Sequence, residues 1–310
     1  MDGRRSGPPV LSYLLLAFAP LTWGGNLIVG RSLADMVDPV TLNLVRWSGA
    51  AVLLGLACGP ALWRHRVDLV RHWRIIGGLG MTGMCGFHLL QYTALASTTA
   101  LNVALISAMT PLYVVSMAWV LSGDRLGVSQ LLGVLLSIAG AVVIVGKGDL
   151  GNVATLQLQR GDLIQVAAIG LWALYCVLLR YRPASIPPLP FLLATILPGL
   201  ALSLLAYTVE EPRLVWSPAV GWGLAYLILF PSTLAYVAWG AGVRELGPHM
   251  AGIFTNLVPI YGALLAVLLL GEQVRPYHVV AAALVAIGIW LAGRGSGGGE
   301  ALRARRADTS

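Results

Sequence analysis

The chain has 310 residues, 57% of them apolar and 11% charged, with a net charge of +7 and a mean hydropathy of +0.80. A soluble domain carries about 25% charged residues, so a soluble enzyme, a nucleic-acid-binding domain and a disordered chain are all excluded. The excess of Lys and Arg points instead to the loops of a membrane protein, where basic residues mark the cytoplasmic side.

A bilayer-spanning helix needs about 20 mostly apolar residues. Ten such stretches follow one another, at 10–33, 39–62, 73–96, 99–121, 127–146, 161–181, 188–208, 218–240, 248–270 and 275–292. The first is too long for a signal peptide, whose apolar region runs ~7–15 residues, and Arg31 interrupts the Ser32-Leu33-Ala34 cleavage-like region. Loop-like pairs such as Asp38-Pro39, Gly123-Asp124-Arg125 and Gly271-Glu272 separate the stretches. The tail from Gly293 to Ser310 is Gly-rich and basic, which predicts disorder. The three cysteines, Cys58, Cys85 and Cys176, lie far apart and match neither a disulfide framework nor a metal-ligand spacing.

Polar residues inside a bilayer are costly and read as functional candidates. Trp23 and Asn26 fall in the first stretch, Trp23 too deep for the interfacial belt where Trp gathers. Arg46 lies in the second; its long stem can snorkel or cap helix carbonyls, which leaves its role open. In the third, Gly78, Thr82 and Gly86 form a small-residue face for close helix contact. The G-x-G-x-x-G match from Gly78 to Gly83 has no preceding strand and no acid placed to hold a ribose, so no nucleotide site is expected. His88, Gln91, Tyr92 and Leu95 share one helix face, with His88 about 12 Å from the helix end. Asn102 and Pro111 follow in the fourth stretch, Trp172 about 16 Å into the sixth, and Asn256 and Pro259 in the ninth. Trp63, Trp73, Trp216, Trp222, Trp239 and Trp290 fit the belt. No Asp or Glu is expected inside a span, which argues against catalysis and against a carboxylate proton relay.

With the N-terminus inside, the inner segments hold 14 basic residues and the outer ones 5. Both termini are therefore expected in the cytoplasm, with the chain in the cell (inner) membrane. Sliding the chain on itself gives an echo. Pro111, Tyr113, Gly123-Asp124 and Gly140 recur 148 residues later as Pro259, Tyr261, Gly271-Glu272 and Gly288, while Trp23 and Arg31 recur 149 later as Trp172 and Arg180. Five spans per copy is an odd number, so the second copy enters the membrane inverted, and a substrate site belongs near the midplane between the halves.

The runs Pro111 to Val145 and Pro259 to Leu291 resemble the last two helices of an EamA repeat, and Trp23-Gly24-Gly25-Asn26 and Arg46 resemble that family's first-repeat signatures. The chain thus looks like a ten-helix exporter of the drug/metabolite transporter superfamily, close to its YddG-type aromatic amino-acid exporters. Asp124 stands where the family usually has Glu. The expected architecture is an all-α polytopic membrane protein of ten transmembrane helices in two inverted five-helix repeats, 10–146 and 161–292. A tail at 1–9, an outer linker at 147–160 and a disordered tail at 293–310 complete it.

A phosphorylated solute would need several midplane cations, and only Arg46 is available. The expected cargo is a neutral or zwitterionic metabolite. Aromatic faces at Trp23, Trp172 and Tyr92, with His88 and Gln91 as polar groups, suit an aromatic or apolar amino acid, and the resemblance implies the same; Asn26, Asn102 and Asn256 either join them at the cavity or bond between helices. Pro111 and Pro259 are the expected hinges. Transport is expected to be facilitative, without cofactor, metal, nucleotide or nucleic-acid partner. A membrane-embedded enzyme or lipid-processing protein is the alternative, disfavoured by the lack of clustered intramembrane acids.

Overall fold

The computed structural model describes residues 10–122, 127–149, 159–209 and 211–307. Those residues are helical apart from their connections and one isolated antiparallel bridge, Val37 to Leu214. Helix α1 spans Val10–Leu33. Helix α2, Pro39–Arg64, starts where the sequence signals a start: the Asp38 side chain accepts from the Thr41 N–H, and Pro39 fills a first-turn position whose N–H would have no partner anyway. Short helices α3 (Arg66–Arg71) and α4 (Trp73–Leu79) lead into a π-helical segment, Gly80–Phe87, which continues as α5, His88–Leu95. Thr99 caps α6 (Ala100–Ser107); α7 (Thr110–Ser122) follows across a 45° bend, with Pro111 in its first turn. Helix α8 covers Val128–Val145.

The second half comprises α9 (Arg160–Leu179), α10 (Pro188–Val209) and α11 (Pro218–Leu229). A second π-helical segment, Phe230–Leu234, leads into α12 (Ala235–Thr255). Gly247, at φ 83°, kinks α12 in a conformation that costs glycine little. Helices α13 (Leu257–Leu270) and α14 (Pro276–Ala307) complete the chain. Moved back by 148 residues, the second π segment falls on 82–86, inside the first.

Among the described residues, five helical stretches are each long and apolar enough to cross a bilayer, one of them running from α11 through the π segment into α12, and a sixth if the bent α6–α7 pair is one span. The ten crossings read from the sequence are not reached by that count. A π segment interrupts 73–95, a break at Asn256 divides 248–270, and the apolar parts of α8, α13 and α14 are only 10–17 residues long. Helix α14 runs on to Ala307, through the segment expected to be a disordered tail. Residues 1–9, the Gly123-Asp124-Arg125 separator, most of the 147–160 linker and 308–310 lie outside the described residues.

The outer surface is apolar in the manner of a lipid-facing protein. Leu56, Val209 and Trp222 are 81%, 81% and 79% exposed, which a soluble monomer could not sustain over such an area. The two halves meet through reciprocal contacts. A Cβ added at Gly140 would lie 3.3 Å from the Ala281 carbonyl oxygen, and one at Gly288 would lie 2.7 Å from that of Gly133. Gly288 and Ala281 stand 148 residues after Gly140 and Gly133, so α8 and α14 cross through matching positions. The small face of Gly78 and Gly86 packs as expected, against Leu178 and Leu171 of α9.

At one end a backbone staple joins the halves. Val215 N–H donates to the Met36 carbonyl at 2.8 Å and Asp38 N–H to that of Arg213 at 3.1 Å, while the Asp38 carboxylate accepts from Arg213 N–H at 2.7 Å. Partial burial pushes the Asp38 carboxyl up, but the hydrogen bonds from Thr41 and Arg213 outweigh it and hold the group below its usual range.

Candidate functional site

Six polar side chains, five from α1, α2 and α5 and one from the second π segment, converge on one buried point. Arg46 of α2 is 1% exposed. Its Nε donates to Ser232 Oγ at 2.5 Å, and its Nη1 faces Asn26 Oδ1 at 3.1 Å, Tyr92 Oη at 2.7 Å and His88 Nδ1 at 3.2 Å. Tyr92 Oη donates to Asn26 Oδ1 at 2.7 Å, and Asn26 Nδ2 to Gln91 Oε1 at 3.3 Å. Arg46 therefore does not snorkel: it is the hub that ties α1, α2 and α5 to the second half. Every one of these partners is a neutral group. The guanidinium also sits 4.7 Å from the Trp47 ring centroid and 5.9 Å from that of Tyr92, where the ring faces attract a cation.

The π segments place two members of this group. His88 is the first residue after one segment, and Ser232 lies within the other. In the widened second segment Ser232 and Thr233 donate five residues back, to the Leu227 and Ile228 carbonyls, and Ser232 Oγ still accepts from Arg46. Such bulges recur at functional sites because they re-aim side chains within an otherwise regular helix.

Two aromatic walls flank the hub. On one side Trp172 stacks on Tyr175 (4.8 Å, 23°) and approaches Phe87 at 4.7 Å. On the other, Trp23 packs on Trp239 at 5.4 Å and its Nε1 donates to the Pro231 carbonyl at 3.0 Å. The walls echo each other. Trp23 meets Tyr236 edge-on at 63°, and Trp172 meets His88 edge-on at the same 63°. Trp172 is 149 residues after Trp23, and Tyr236 is 148 after His88.

Of the sequence candidates, His88, Gln91, Tyr92, Asn26, Trp23 and Trp172 are brought together here. Asn102 is not. Its Nδ2 donates to both carboxylate oxygens of Asp162, at 3.1 and 3.2 Å, and its Oδ1 meets His278 Nε2 at 2.9 Å. Asp162, whose carboxylate also accepts from Thr98 Oγ1, is fully buried in the first turn of α9. Asp162 lies at the end of its span rather than in the interior, and Thr98 and Asn102 supply the donors its buried carboxylate needs. Beside this second cluster is a cavity of about 240 Å³ lined by residues including Thr99, Glu272, Arg275 and His278. Asn256 is exposed at the break before α13 and joins neither group. Pro111 and Pro259 each lie in the first turn after a helix break.

Sequence reading passed over Trp47, Phe87, Tyr175, Ser232 and Tyr236, and it assigned Trp239 to the interfacial belt. Adjacency was an available signal for two of them: Trp47 follows Arg46, and Tyr175 is one turn after Trp172. Nothing local marks Ser232, whose role exists only across the two halves.

Set against known proteins, the chain matches the EamA-like transporter family model twice, over residues 10–146 and 159–294. It is 31% identical to the uncharacterized transporter YyaM of Bacillus subtilis over 68% of this chain and 70% of that protein. The aromatic amino acid exporter YddG of Ancylobacter novellus is 28% identical over 83% of this chain and 88% of its own. A probable terminal-alkyne amino-acid exporter of Streptantibioticus cattleyicolor is 26% identical over 90% and 92%. One protein of solved crystal structure shares the fold, with a TM-score of 0.60 at 23% identity over 91% of this chain and 96% of that one.

Proposed function

The chain belongs to the EamA-like transporter family, a multi-pass membrane protein built from two copies of that family's domain, and from that premise we propose that it exports a small neutral or zwitterionic metabolite, an aromatic or apolar amino acid, by alternating access. The observation that carries this reading is the buried Arg46 hub, held by groups from both copies and walled by the Trp172 and Trp23 aromatics. A solute lodged between the copies is exposed alternately to either side as one rocks against the other. Its ring stacks against Trp172, and its polar end bonds to His88, Gln91 and Asn26. The breaks before Pro111 and Pro259 are the bending points. The two exporters named above for amino acids support this substrate class by analogy.

The same reading gives ten crossings in the inner membrane, with the second copy inverted and both termini cytoplasmic. Single cysteines at His65 and Asp149 test that topology: an impermeant reagent added to intact cells should label position 149 and spare position 65. Function is tested with the purified protein in liposomes preloaded with unlabelled solute and offered a panel of labelled metabolites. Exchange of aromatic and apolar amino acids, independent of an imposed proton gradient, is expected. Exchange confined to cations, sugars or phosphate esters would overturn the proposal.

A further inference from the structure

The polar groups around Arg46 are unevenly balanced between donors and acceptors. A guanidinium has no acceptor atom, so in its contact with Arg46 Nη1 the His88 Nδ1 must be the acceptor. The proton of the neutral ring therefore sits on Nε2. That Nε2–H is buried and has no hydrogen-bond partner among the described residues. The Trp47 Nε1–H is in the same condition, and its ring centroid lies 5.2 Å from that of His88. Both residues are more than nine-tenths buried, and Arg46, whose guanidinium sits 4.7 Å from the Trp47 ring, adds a charge offset only by neutral groups. One wall of the site thus presents a cation and two unsatisfied N–H donors, all asking for an acceptor with negative charge. A buried unpaired donor is costly to leave unmade, and a buried uncompensated charge more so.

We infer that Arg46, His88 and Trp47 form a receptor for a carboxylate, and that the transported solute enters with its carboxylate toward this wall and its apolar group toward Trp172, Phe87 and Tyr175. This rests on the export reading above and narrows it: the solute must carry a carboxylate, whereas an ammonium group is secondary. A carboxylate accepts short, strong hydrogen bonds from an ionised donor such as a guanidinium. Trp47, on the turn that carries Arg46, supplies a second N–H donor beside that of His88.

The test is exchange of labelled tryptophan in liposomes carrying the full-length protein, challenged with unlabelled tryptophan, indole-3-propionate, tryptamine and tryptophanamide. Indole-3-propionate, which keeps the carboxylate and loses the ammonium, should compete within a few-fold of tryptophan. Tryptamine and the amide should be weaker by about tenfold or more, the lower range for one hydrogen bond to a charged group. Trp47→Phe keeps an aromatic face and removes the N–H donor together with part of the indole. It should weaken tryptophan and indole-3-propionate by about tenfold while leaving the weak competition by tryptamine unchanged. Arg46→Lys should retain more of the carboxylate preference than Arg46→Gln.

Equal competition by tryptamine and tryptophan would overturn the carboxylate receptor while leaving amino-acid export standing. If no labelled amino acid exchanges at all, export of amino acids fails. The same four compounds are then compared by thermal shift on the purified protein, where stabilisation restricted to the two carboxylates sustains the receptor and its absence overturns it.

Discussion

The two copies of the domain share a scaffold and differ in chemistry. Each places a tryptophan, Trp23 or Trp172, edge-on against the other copy at the same 63°, and each interrupts its third helical stretch with a π segment at matching positions. Yet Asn26, Arg46, His88, Gln91 and Tyr92 all belong to the first copy, and their counterparts in the second are Tyr175, Ala194 or Thr195, Tyr236, Trp239 and Gly240. Among the described residues, Ser232 answers Arg46 from the second side. The polar groups of the shared scaffold thus sit mostly on the first copy, whereas the aromatic groups around them come from both, Trp23 and Phe87 from the first and Trp172, Tyr175, Tyr236 and Trp239 from the second.

That comparison can be broken most forcefully at its hub. Arg46→Ala leaves His88 Nδ1 without its donor, at about 1–3 kcal/mol for a buried group left unsatisfied, and takes one bond each from Asn26, Tyr92 and Ser232. Thr195→Ala, at the second copy's counterpart, removes one hydroxyl bond to the Leu192 carbonyl, worth about 1 kcal/mol. Thermal unfolding of the purified variants should therefore show a far larger loss for Arg46→Ala, and equal losses would mean the copies are not chemically unlike. The paired tryptophans come next. Trp172→Ala should sharply reduce exchange of aromatic amino acids while sparing aliphatic ones. Trp23→Ala, which also loses the bond to Pro231, should lower both classes alike. Indistinguishable selectivity in the two variants would remove the distinction between the walls.

The crossing of α8 and α14 offers a milder contrast. A methyl at Gly288 would press on a backbone oxygen at 2.7 Å, whereas one at Gly140 meets the movable tip of Val285 at 3.0 Å. Gly288→Ala should cost about 1–3 kcal/mol, as overpacking does, and Gly140→Ala distinctly less, read as a difference in denaturation midpoint. The smallest effect belongs to the staple between the halves. Asp38→Asn trades one good capping residue for another, so stability at neutral pH should fall by no more than about 1 kcal/mol. Because the Asp38 carboxyl is held below its usual range, its contribution is present above about pH 4 and is lost as pH falls through the lower folded value. The Asn variant should show a flatter acid limb, and an unchanged limb would remove Asp38 as its source.

Composition and periodicity carried the membrane class, the helix starts at Asp38-Pro39 and Thr99, the repeat offset and the face His88-Gln91-Tyr92, because each is a property of one segment and its neighbours along the chain. Asn102 and Asn256 read as polar residues too costly for lipid, set either to face the cavity or to bond between helices, and a sequence does not say which side of a helix a partner will cover. Asn102 found Asp162 and His278, and Asn256 remained outside. Arg46 shows the boundary most clearly. The sequence established that one cation lies deep in the second span, and snorkelling was its ordinary expectation. That the guanidinium instead faces Asn26 from 20 residues away, His88 and Tyr92 from 42 and 46, and Ser232 from 186 was decided only by tertiary structure, because a buried charge takes its partners from whatever packing brings within about 3 Å, at any separation along the chain.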